Sequence, residues 1–305
     1  MQRFLLRRLI QGVITLFVLS IVVFALARIT GDPTDLLVPP EASQETKEEV
    51  RRHLGLDKPY HVQYWVFISN AVKGDFGNSL RLQRPAMKLV MQRMPNSLKL
   101  STVAMTMALL LAFPLGIIAA VKKGKSADHF ARTFAVLFVT MPAFLVGIIF
   151  MELFAVKLGW VPTSGMFEWK SYILPGLTLA LIAMAPMTRL LRSSMLDVVD
   201  SEYVKLARLK GIPERVVIWK HALRNAVIPL LTMAGVYFGL IVTMAVVVET
   251  VFNWPGIGTL AYESIMARDF PVIQAVVIAV AALVMVVNLL VDVAYAYVDP
   301  RIRHH

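Results

Sequence analysis

The chain has 305 residues, a mean hydropathy of +0.66 and a 57% hydrophobic share, and this composition excludes an ordinary soluble domain, in which about half of the residues are apolar. The formal net charge of +11 would suit a nucleic-acid-binding protein, but the positions of the charges argue against that class. Cysteine is absent, which excludes disulfides and thiolate metal sites.

Apolar stretches long enough to cross about 30 Å of hydrocarbon occur six times in the sequence. They lie near residues 9–29, 98–121, 130–156, 172–191, 226–251 and 271–298. Each is expected to be helical, because lipid offers no hydrogen-bond partners to backbone amides. The sequence therefore predicts an all-α integral membrane protein with six transmembrane helices.

Basic residues lie on one side of this six-helix arrangement. They are Arg3, Arg7 and Arg8, then Lys122, Lys123, Lys125 and Arg132, then the basic residues from Arg189 to Arg224, and finally Arg301 and Arg303. An excess of Lys and Arg marks cytoplasmic loops, so both termini are predicted to be cytoplasmic. This distribution favours a topology signal, and no nucleic-acid partner is expected.

The N-terminus has a basic start, an apolar run and an Ala25-Leu26-Ala27 triplet, which together resemble a secretion signal. The apolar run is longer than the roughly 7 to 15 residues of a signal core. Residues 1–29 are therefore predicted to remain as an N-terminal segment and first transmembrane helix.

Residues 30–97 are mixed in charge and are predicted to form an extracytoplasmic helical insertion. Expected helices cover residues 45–54, which Gly55 ends, residues 59–74, which begin at Pro59 and end at Gly74, and an amphipathic piece over 85–94. Gly31-Asp32-Pro33 is expected to end the first span.

Aromatic residues are concentrated in the helix that begins at Pro59. They are Tyr60, Tyr64, Trp65 and Phe67. Such residues suit the level of the lipid headgroups. The same side chains would also serve to pack on the protein's own spans, and both interpretations stay open.

The link between the second and third spans contains Gly124-Lys125-Ser126, which resembles the end of a phosphate-binding loop. Ala119 stands where such a loop needs its first glycine, and the residues before it are expected to be membrane helix rather than strand. Any nucleotide chemistry must therefore come from another chain.

Several residues are unusual for transmembrane helices. The third and fourth spans contain Pro142, Pro175 and Pro186, which either bend a translocation pathway or reflect ordinary packing. Glu152 and Glu249 fall near outer ends of spans and would reach the interface, whereas Asp292 lies towards an inner end, and no role is assigned to them. The spans contain no histidine, which disfavours an intramembrane Ser/His protease and a proton relay.

A basic, polar segment over residues 189–225 separates the fourth and fifth spans. Asp200 and Ser201 are suited to cap a short helix, and Gly211 is suited to end it in the left-handed conformation. Pro213 then suits the first position of a second short helix. This pair of helices is predicted to dock a partner protein at the membrane surface. A DNA-binding helix-turn-helix has similar ingredients, but the adjoining spans leave it little freedom to enter a groove.

Residues 202–211, EYVKLARLKG, and 221–226, HALRNA, resemble the cytoplasmic EAA loop of ABC-importer permeases, and more narrowly of the dipeptide, oligopeptide, glutathione and nickel branch. Further matching blocks follow the same order along nearly the whole chain: Gly31-Asp32-Pro33, Leu54-Gly55-Leu56-Asp57, Gly74-Asp75-Phe76-Gly77, Trp254-Pro255-Gly256 and Arg268-Asp269-Phe270-Pro271. The segment departs from the general pattern at Lys205 and Leu206, and agrees with it at Ala207 and Gly211. Members of the peptide branch depart in the same way.

The resemblance implies a type I permease core of five helices over residues 98–298, with a coupling loop at 189–225 and a cytoplasmic tail at 299–305. Its ATPase-coupling residues would be Glu202, Tyr203, Leu206, Ala207, Arg208, Lys210 and Gly211. Ala207 and Gly211 are expected to allow close approach of the ATPase, and Arg208 and Lys210 to pair with its acidic groups. The turn Trp254-Pro255-Gly256 is expected to contact a binding protein or a gate, and Trp254 would alternatively be an anchor at the membrane interface.

The resemblance further implies a permease subunit that crosses the bilayer of a bacterial inner membrane several times. A paralogous second permease would complete the pore, two ABC ATPases would use ATP and Mg, and a periplasmic binding protein would deliver the solute. This chain itself is expected to hold no catalytic residue, metal or cofactor. Dipeptides, oligopeptides or glutathione are the expected cargo. The alternatives are nickel chelates or another small solute, and a secondary transporter that works without an ATPase.

Overall fold

The structure, a computed structural model, describes residues 2–29, 43–53 and 55–298, together with Thr34 and Val38. Apart from an isolated bridge between Asn78 and Pro85, the regular elements of this part are helices. They are α1 Gln2–Ile29, α2 Gln44–His53, α3 Tyr60–Ala71, α4 Ala86–Val121, α5 Ser126–Thr140, α6 Ala143–Lys157, α7 Ile173–Val199, α8 Glu202–Leu209, α9 Glu214–Val251, α10 Ile257–Met266 and α11 Phe270–Val298. The last part of α6, Met151–Lys157, is a π-helix, and a short 3-10 helix, Trp169–Tyr172, precedes α7. The predicted stop at Gly31-Asp32-Pro33, the end of a helix at Leu54 and the tail over 299–305 lie outside the described residues.

Helices long and apolar enough to cross a membrane cover Leu6–Ile29, Ala86–Val121, Trp169–Val199, Glu214–Val251 and Phe270–Val293. The bent pair formed by α5 and α6 makes a sixth span when it is counted as one. The all-helical class and the multi-pass arrangement are thereby confirmed for the described residues. The cytoplasmic position of the termini stays a prediction.

The third span differs from the single helix that was expected over residues 130–156. Its two halves meet at a bend of 106°. Met141 is extended, with φ −87° and ψ 134°, because the ring of a following proline disfavours the helical conformation. Pro142 then precedes α6, where its missing N–H leaves no helical hydrogen bond unmade. Pro175 and Pro186, in contrast, lie within α7, which continues without a break.

Two helices are longer than the sequence pattern indicated. The amphipathic piece over 85–94 is the first part of α4 and not a separate element. The prediction of a second short helix after Gly211 is also wrong. The helix that begins there continues as a π-helix over Val217–Ala222 and runs through Pro229 into the fifth span. The segment over 189–225 thus contains one short helix, α8, between the ends of two long helices.

One compact unit comprises Met1–Pro95 and Gly256–Val286. Its core packs Phe76 and Leu89 with Leu260, Val272 and other buried apolar side chains. This core joins α4 to α10 and α11 within the unit.

Two of the aromatic residues of α3 pack on a span of the same chain, and two are exposed. Tyr64 and Phe67 pack on α1, with ring centroids 5.4 and 5.8 Å from that of Phe24. Tyr60 and Trp65 are each 70% exposed and suit contact with lipid headgroups.

The other unit comprises Asn96–Pro255 and Val287–His305. Within it α7 packs on α5, α6 and α9, and Leu179, Met184 and Leu191 of α7 are completely buried. Gly116 of α4 allows a close approach, because a Cβ atom there would lie 2.9 Å from the Cβ of Leu191. This tightly packed helix leads directly into α8.

Candidate functional site

The candidate site is centred on α8, and the local backbone at its start differs in one detail from the expected cap. Ser201 occupies the N-cap position, with φ −72° and ψ 153°. Its hydroxyl donates a hydrogen bond to the carbonyl of Val198 and accepts none from the first turn of α8. The side-chain cap that was expected from Asp200 or Ser201 is therefore not formed, and Ser201 instead fixes the turn that joins α7 to α8.

The end of α8 confirms the stop predicted at Gly211. This residue has φ +72°, and its N–H donates to the carbonyl of Arg208 at 2.9 Å. A Cβ atom at Gly211 would meet no other atom within 4 Å. The backbone conformation, and not a close contact within the chain, is what favours glycine here.

The buried face of α8 packs on the beginning of α9. Val204 and Val217 are completely buried, and Ala207 lies between them with 6% of its surface exposed. The small side chain of Ala207 therefore allows a close approach between α8 and the next helix of the same chain. The side chain of Ala207 is thus covered by its own chain, and its part in the approach of an ATPase stays a prediction.

The exposed side of α8 carries an apolar stripe between charged residues. Tyr203, Leu206 and Leu209 are exposed by 42%, 56% and 83%, and their spacing of three residues places them on one side of the helix. An apolar stripe at the aqueous end of a membrane protein favours contact with another protein. Tyr203 and Leu206 were predicted site residues, whereas Leu209 was missed, although the same three-residue spacing would have indicated it.

The charged residues of α8 mainly form pairs within the chain. Arg208 donates to both carboxylate oxygens of Glu214, at 3.1 and 2.8 Å, and this hydrogen bonding raises the pKa of the guanidinium. Lys205 donates to Glu202 at 2.8 Å, which raises the pKa of its ammonium group. Within the described residues Lys210 has no such carboxylate partner, so it is the cation of the predicted pair that stays available for an acidic protein.

A further polar contact joins α8 to α9. The side-chain amide of Asn225 donates to the hydroxyl of Tyr203 at 2.8 Å. Together with the pair of Arg208 and Glu214 and the apolar packing around Ala207, this contact holds α8 against the first turns of α9. A displacement of α8 would thus be passed to the long helix.

A buried ion pair, which the sequence did not reveal, lies where α5 meets α7. Asp128 is 1% exposed and accepts two hydrogen bonds from Arg192, both at 2.8 Å. It also accepts the N–H of Gly124 at 3.0 Å and lies 3.2 Å from Arg132. The Gly124-Lys125-Ser126 stretch therefore forms a corner around a carboxylate of its own chain, and no sequence pattern distinguished Asp128 from an ordinary acid in a first helical turn.

The turn at residues 254–256 differs from the expected contact surface. Trp254 is completely buried, its indole N–H donates to the carbonyl of Asn96 at 3.2 Å, and its ring meets that of Tyr172 edge-on at 4.6 Å. The carbonyl of Pro255 accepts the side-chain amide of Asn96 at 2.8 Å, and Gly256 is buried. Trp254 is therefore an internal anchor in this structure, and neither the lipid interface nor a partner reaches its side chain.

The acidic residues of the spans behave differently from one another. Glu249 is completely buried in the chain, so the expectation that it reaches the interface is wrong. Glu152 is largely exposed and lies 3.6 Å from Lys157. No group of His, Asp or Glu in the described residues could hold a metal ion.

Asp269, in the first unit, holds the loop at residues 79–81. In the sequence it was noted only as part of the matching block Arg268-Asp269-Phe270-Pro271. It is buried and accepts hydrogen bonds from the hydroxyl of Ser79 and, at 3.0 Å, from the N–H of Leu80. Arg81 of the same loop pairs with Glu263 at 2.7 Å. The matched blocks around residues 74–77 and 268–271 thus lie in one hydrogen-bonded region.

Residues 112–304 match the family described as binding-protein-dependent transport system inner membrane component, and residues 1–101 match the N-terminal region of such components. The chain is 42% identical over 305 residues, covering all of both chains, to the glutathione transport system permease protein GsiC of Escherichia coli K12 and to that of Shigella dysenteriae serotype 1.

Solved structures share the fold at much lower identity. An inward-facing MetNI methionine ABC transporter chain matches with a TM-score of 0.60 at 16% identity, over 70% of this chain and 97% of that one. A chain of an amino acid ABC transporter with histidines matches with a TM-score of 0.55 at 14% identity, over 69% and 94% of the two chains.

Proposed function

Because this chain belongs to the family of inner membrane components of binding-protein-dependent transport systems, we propose that it forms half of the pore of an ATP-driven importer for glutathione or related peptides. It is a multi-pass inner-membrane protein and a transport permease rather than an enzyme. The proposed cargo is supported by the 42% identity to glutathione permeases along the entire length of both chains.

The exposed apolar face of α8 is the observation that carries the coupling mechanism. Tyr203, Leu206 and Leu209 present an uncovered stripe on a short helix between two membrane-spanning helices. A cleft in an ABC ATPase would cover this stripe, and an acidic group at its rim would pair with Lys210. Gly211 lets the chain turn away immediately after the docked helix.

Movement of the docked helix would reach the membrane through contacts inside the chain. Arg208 holds Glu214 at the start of α9 and also donates to the carbonyl of Val199 at the end of α7, at 3.4 Å. Closure of two ATPases on ATP and Mg would therefore displace α8 together with the ends of both long helices. Such tilting would change the access of the pore from one side of the membrane to the other.

The remaining parts of the proposed system are a paralogous second permease, two ABC ATPases and a periplasmic binding protein. In this arrangement both termini and α8 lie in the cytoplasm, and residues 30–97 lie outside. The basic clusters at residues 122–125 and 189–224 support this orientation. In this proposal ATP and Mg bind to the ATPases.

Uptake by cells that lack other glutathione and peptide importers tests the cargo. Cells that express this chain with its partner subunits are expected to accumulate labelled glutathione. Replacement of the lysine in the phosphate-binding loop of the ATPases should abolish the accumulation. Uptake that persists without ATP hydrolysis would instead indicate a secondary transporter. Transport of a nickel chelate, with no competition from glutathione, would contradict the proposed cargo.

A further inference from the structure

A groove lies between α5 and α7, away from the contacts of α8 that carry the coupling proposal. It is an open depression with a volume of about 680 Å³, lined by His129, Arg132, Val136, Leu137, Thr140 and Arg189, among others. Its lining changes from basic at one end to largely apolar along α5. The groove lies wholly within the unit that contains residues 96–255.

The basic end of the groove has more positive than negative charge. Asp128 is held through both oxygens by Arg192, and it also pairs with Arg132. Arg189 lies one helical turn before Arg192, is exposed, and has no carboxylate partner among the described residues. The carboxylate of Asp128 therefore pairs with two guanidinium groups, and the charge of Arg189 is uncompensated.

Arg189 lies at the end of the apolar stretch of α7, where an uncompensated guanidinium beside the hydrocarbon layer favours an accompanying anion. A phosphate group fits the planar donor face of arginine, which makes two parallel hydrogen bonds to it. The imidazole of His129 lies beside this end, where its Nδ1 is 3.0 Å from a guanidinium nitrogen of Arg132. Basic pockets between transmembrane helices are suited to acidic lipid headgroups.

The apolar part of the groove distinguishes a lipid from a free anion. Val136 and Leu137 are exposed by 49% and 53% and follow Arg132 on α5. From Arg132 to Thr140 the helix rises about 12 Å, which is enough for a headgroup and the first part of an acyl chain. A soluble phosphate would leave this surface uncovered.

We propose that the groove binds an anionic phospholipid. Its phosphate lies between Arg189 and Arg132, and its acyl chain follows Val136 and Leu137. The proposal requires that α5 and α7 lie in a bilayer, and it holds for either orientation of the chain and for any cargo.

Native mass spectrometry of the purified full-length chain, exchanged into phosphatidylcholine with a titrated fraction of phosphatidylglycerol of the same acyl length, tests the proposal. The wild type is expected to retain phosphatidylglycerol selectively. The Arg189→Gln variant should bind it about tenfold more weakly, as loss of charge-assisted hydrogen bonds implies, and Arg189→Lys should be intermediate because it keeps the charge without the planar fork. Lys123→Gln, which removes an exposed charge outside the groove, is the matched control and should bind like the wild type.

Three results would overturn the proposal. The first is equal retention by wild type and Arg189→Gln, or equal loss in Lys123→Gln. The second is displacement of the lipid by millimolar inorganic phosphate, which would identify a free-anion site. The third is a photo-crosslinking residue at Leu137 that captures a protein subunit and not lipid, which would make the groove a subunit interface. Size-exclusion chromatography and circular dichroism of Arg189→Gln exclude misfolding as the cause of any loss.

Discussion

Asp128 has a structural importance that its place in the sequence does not suggest. Its carboxylate is buried and joins the corner at Gly124 to Arg192 of α7. Removing one partner of a buried ion pair leaves the other charge uncompensated, which generally costs more than the intact pair contributes. The contact between α5 and α7 at this point therefore depends on this single acidic group.

Replacing Asp128 by Asn should destabilise the detergent-solubilised chain by about 1–3 kcal/mol, because Arg192, whose side chain is only 22% exposed, would lose its counter-charge and its hydrogen-bond partner. Thermal unfolding followed by circular dichroism measures this effect. The double variant Asp128→Asn with Arg192→Gln should recover part of the loss. Arg132→Gln is the comparison, since Arg132 is 44% exposed and its pair with Asp128 should contribute less than about 1 kcal/mol. Equal effects of the Asp128 and Arg132 substitutions would contradict the assigned role.

At the scale of the element, α8 has two faces with different tasks. Ala207 and Val204 hold the helix to α9, whereas Leu206 and Leu209 remain uncovered. The sequence predicted this helix from its start and stop signals and did not indicate which face would be buried. Substitutions on the two faces therefore distinguish packing of α8 on α9 from docking of an ATPase on α8.

Substitution of Ala207 by Asp should release α8 from α9, because the carboxylate would enter an apolar contact without a partner. Amide hydrogen exchange in residues 202–209 should then become faster, and ATPase binding should be lost. Leu206→Asp should leave this exchange unchanged and still weaken ATPase binding, since its side chain is on the uncovered face. Val72→Asp, at a residue that is 82% exposed and distant in sequence, is the control. Normal ATPase binding by Leu206→Asp would show that this face is not the docking surface.

The accuracy of the sequence-based predictions for these elements follows from the range of the interactions involved. The end of α8 at Gly211 was predictable, because a left-handed residue after a helix is a local property. The break after Thr140 was only partly indicated, since Pro142 interrupts its helix while Pro186 and Pro229 lie within theirs. Neighbouring helices decide which proline is tolerated, and a single sequence does not contain that information.

The wrong predictions of side-chain positions also come from contacts between residues that are distant in the sequence. Trp254 was expected at a surface because aromatic residues near a span often lie there. Its burial depends on Asn96 and Tyr172, which are distant in the sequence. The ion pair of Asp128 with Arg192 is likewise a contact between separate helices, and neither partner occurs in a recognisable motif.

For the whole molecule, the lack of cysteine permits a direct test of orientation. Single cysteines introduced as Leu209→Cys and Val72→Cys should react with a membrane-impermeant maleimide from opposite sides. In intact spheroplasts only the Val72→Cys variant should be labelled, and Leu209→Cys should react after the membrane is opened. The unmodified chain gives the background, which should be zero. Labelling of Leu209→Cys in intact spheroplasts would contradict the proposed topology.

The bend in the third span has a consequence for the complete particle. A peptide chain that leaves the helix inside a hydrocarbon layer has oxygen atoms that must find donors, and the hydroxyl of Thr140 supplies one to Leu137 at 2.9 Å. Non-helical backbone at that depth is tolerated only where other protein encloses it or water reaches it, yet Pro142 is uncovered in the isolated chain. A lone copy would therefore expose this kink to lipid, so Pro142 requires a neighbouring subunit or a water-filled passage beside it. A lipid bound in the adjoining groove would end at Leu137, before the kink.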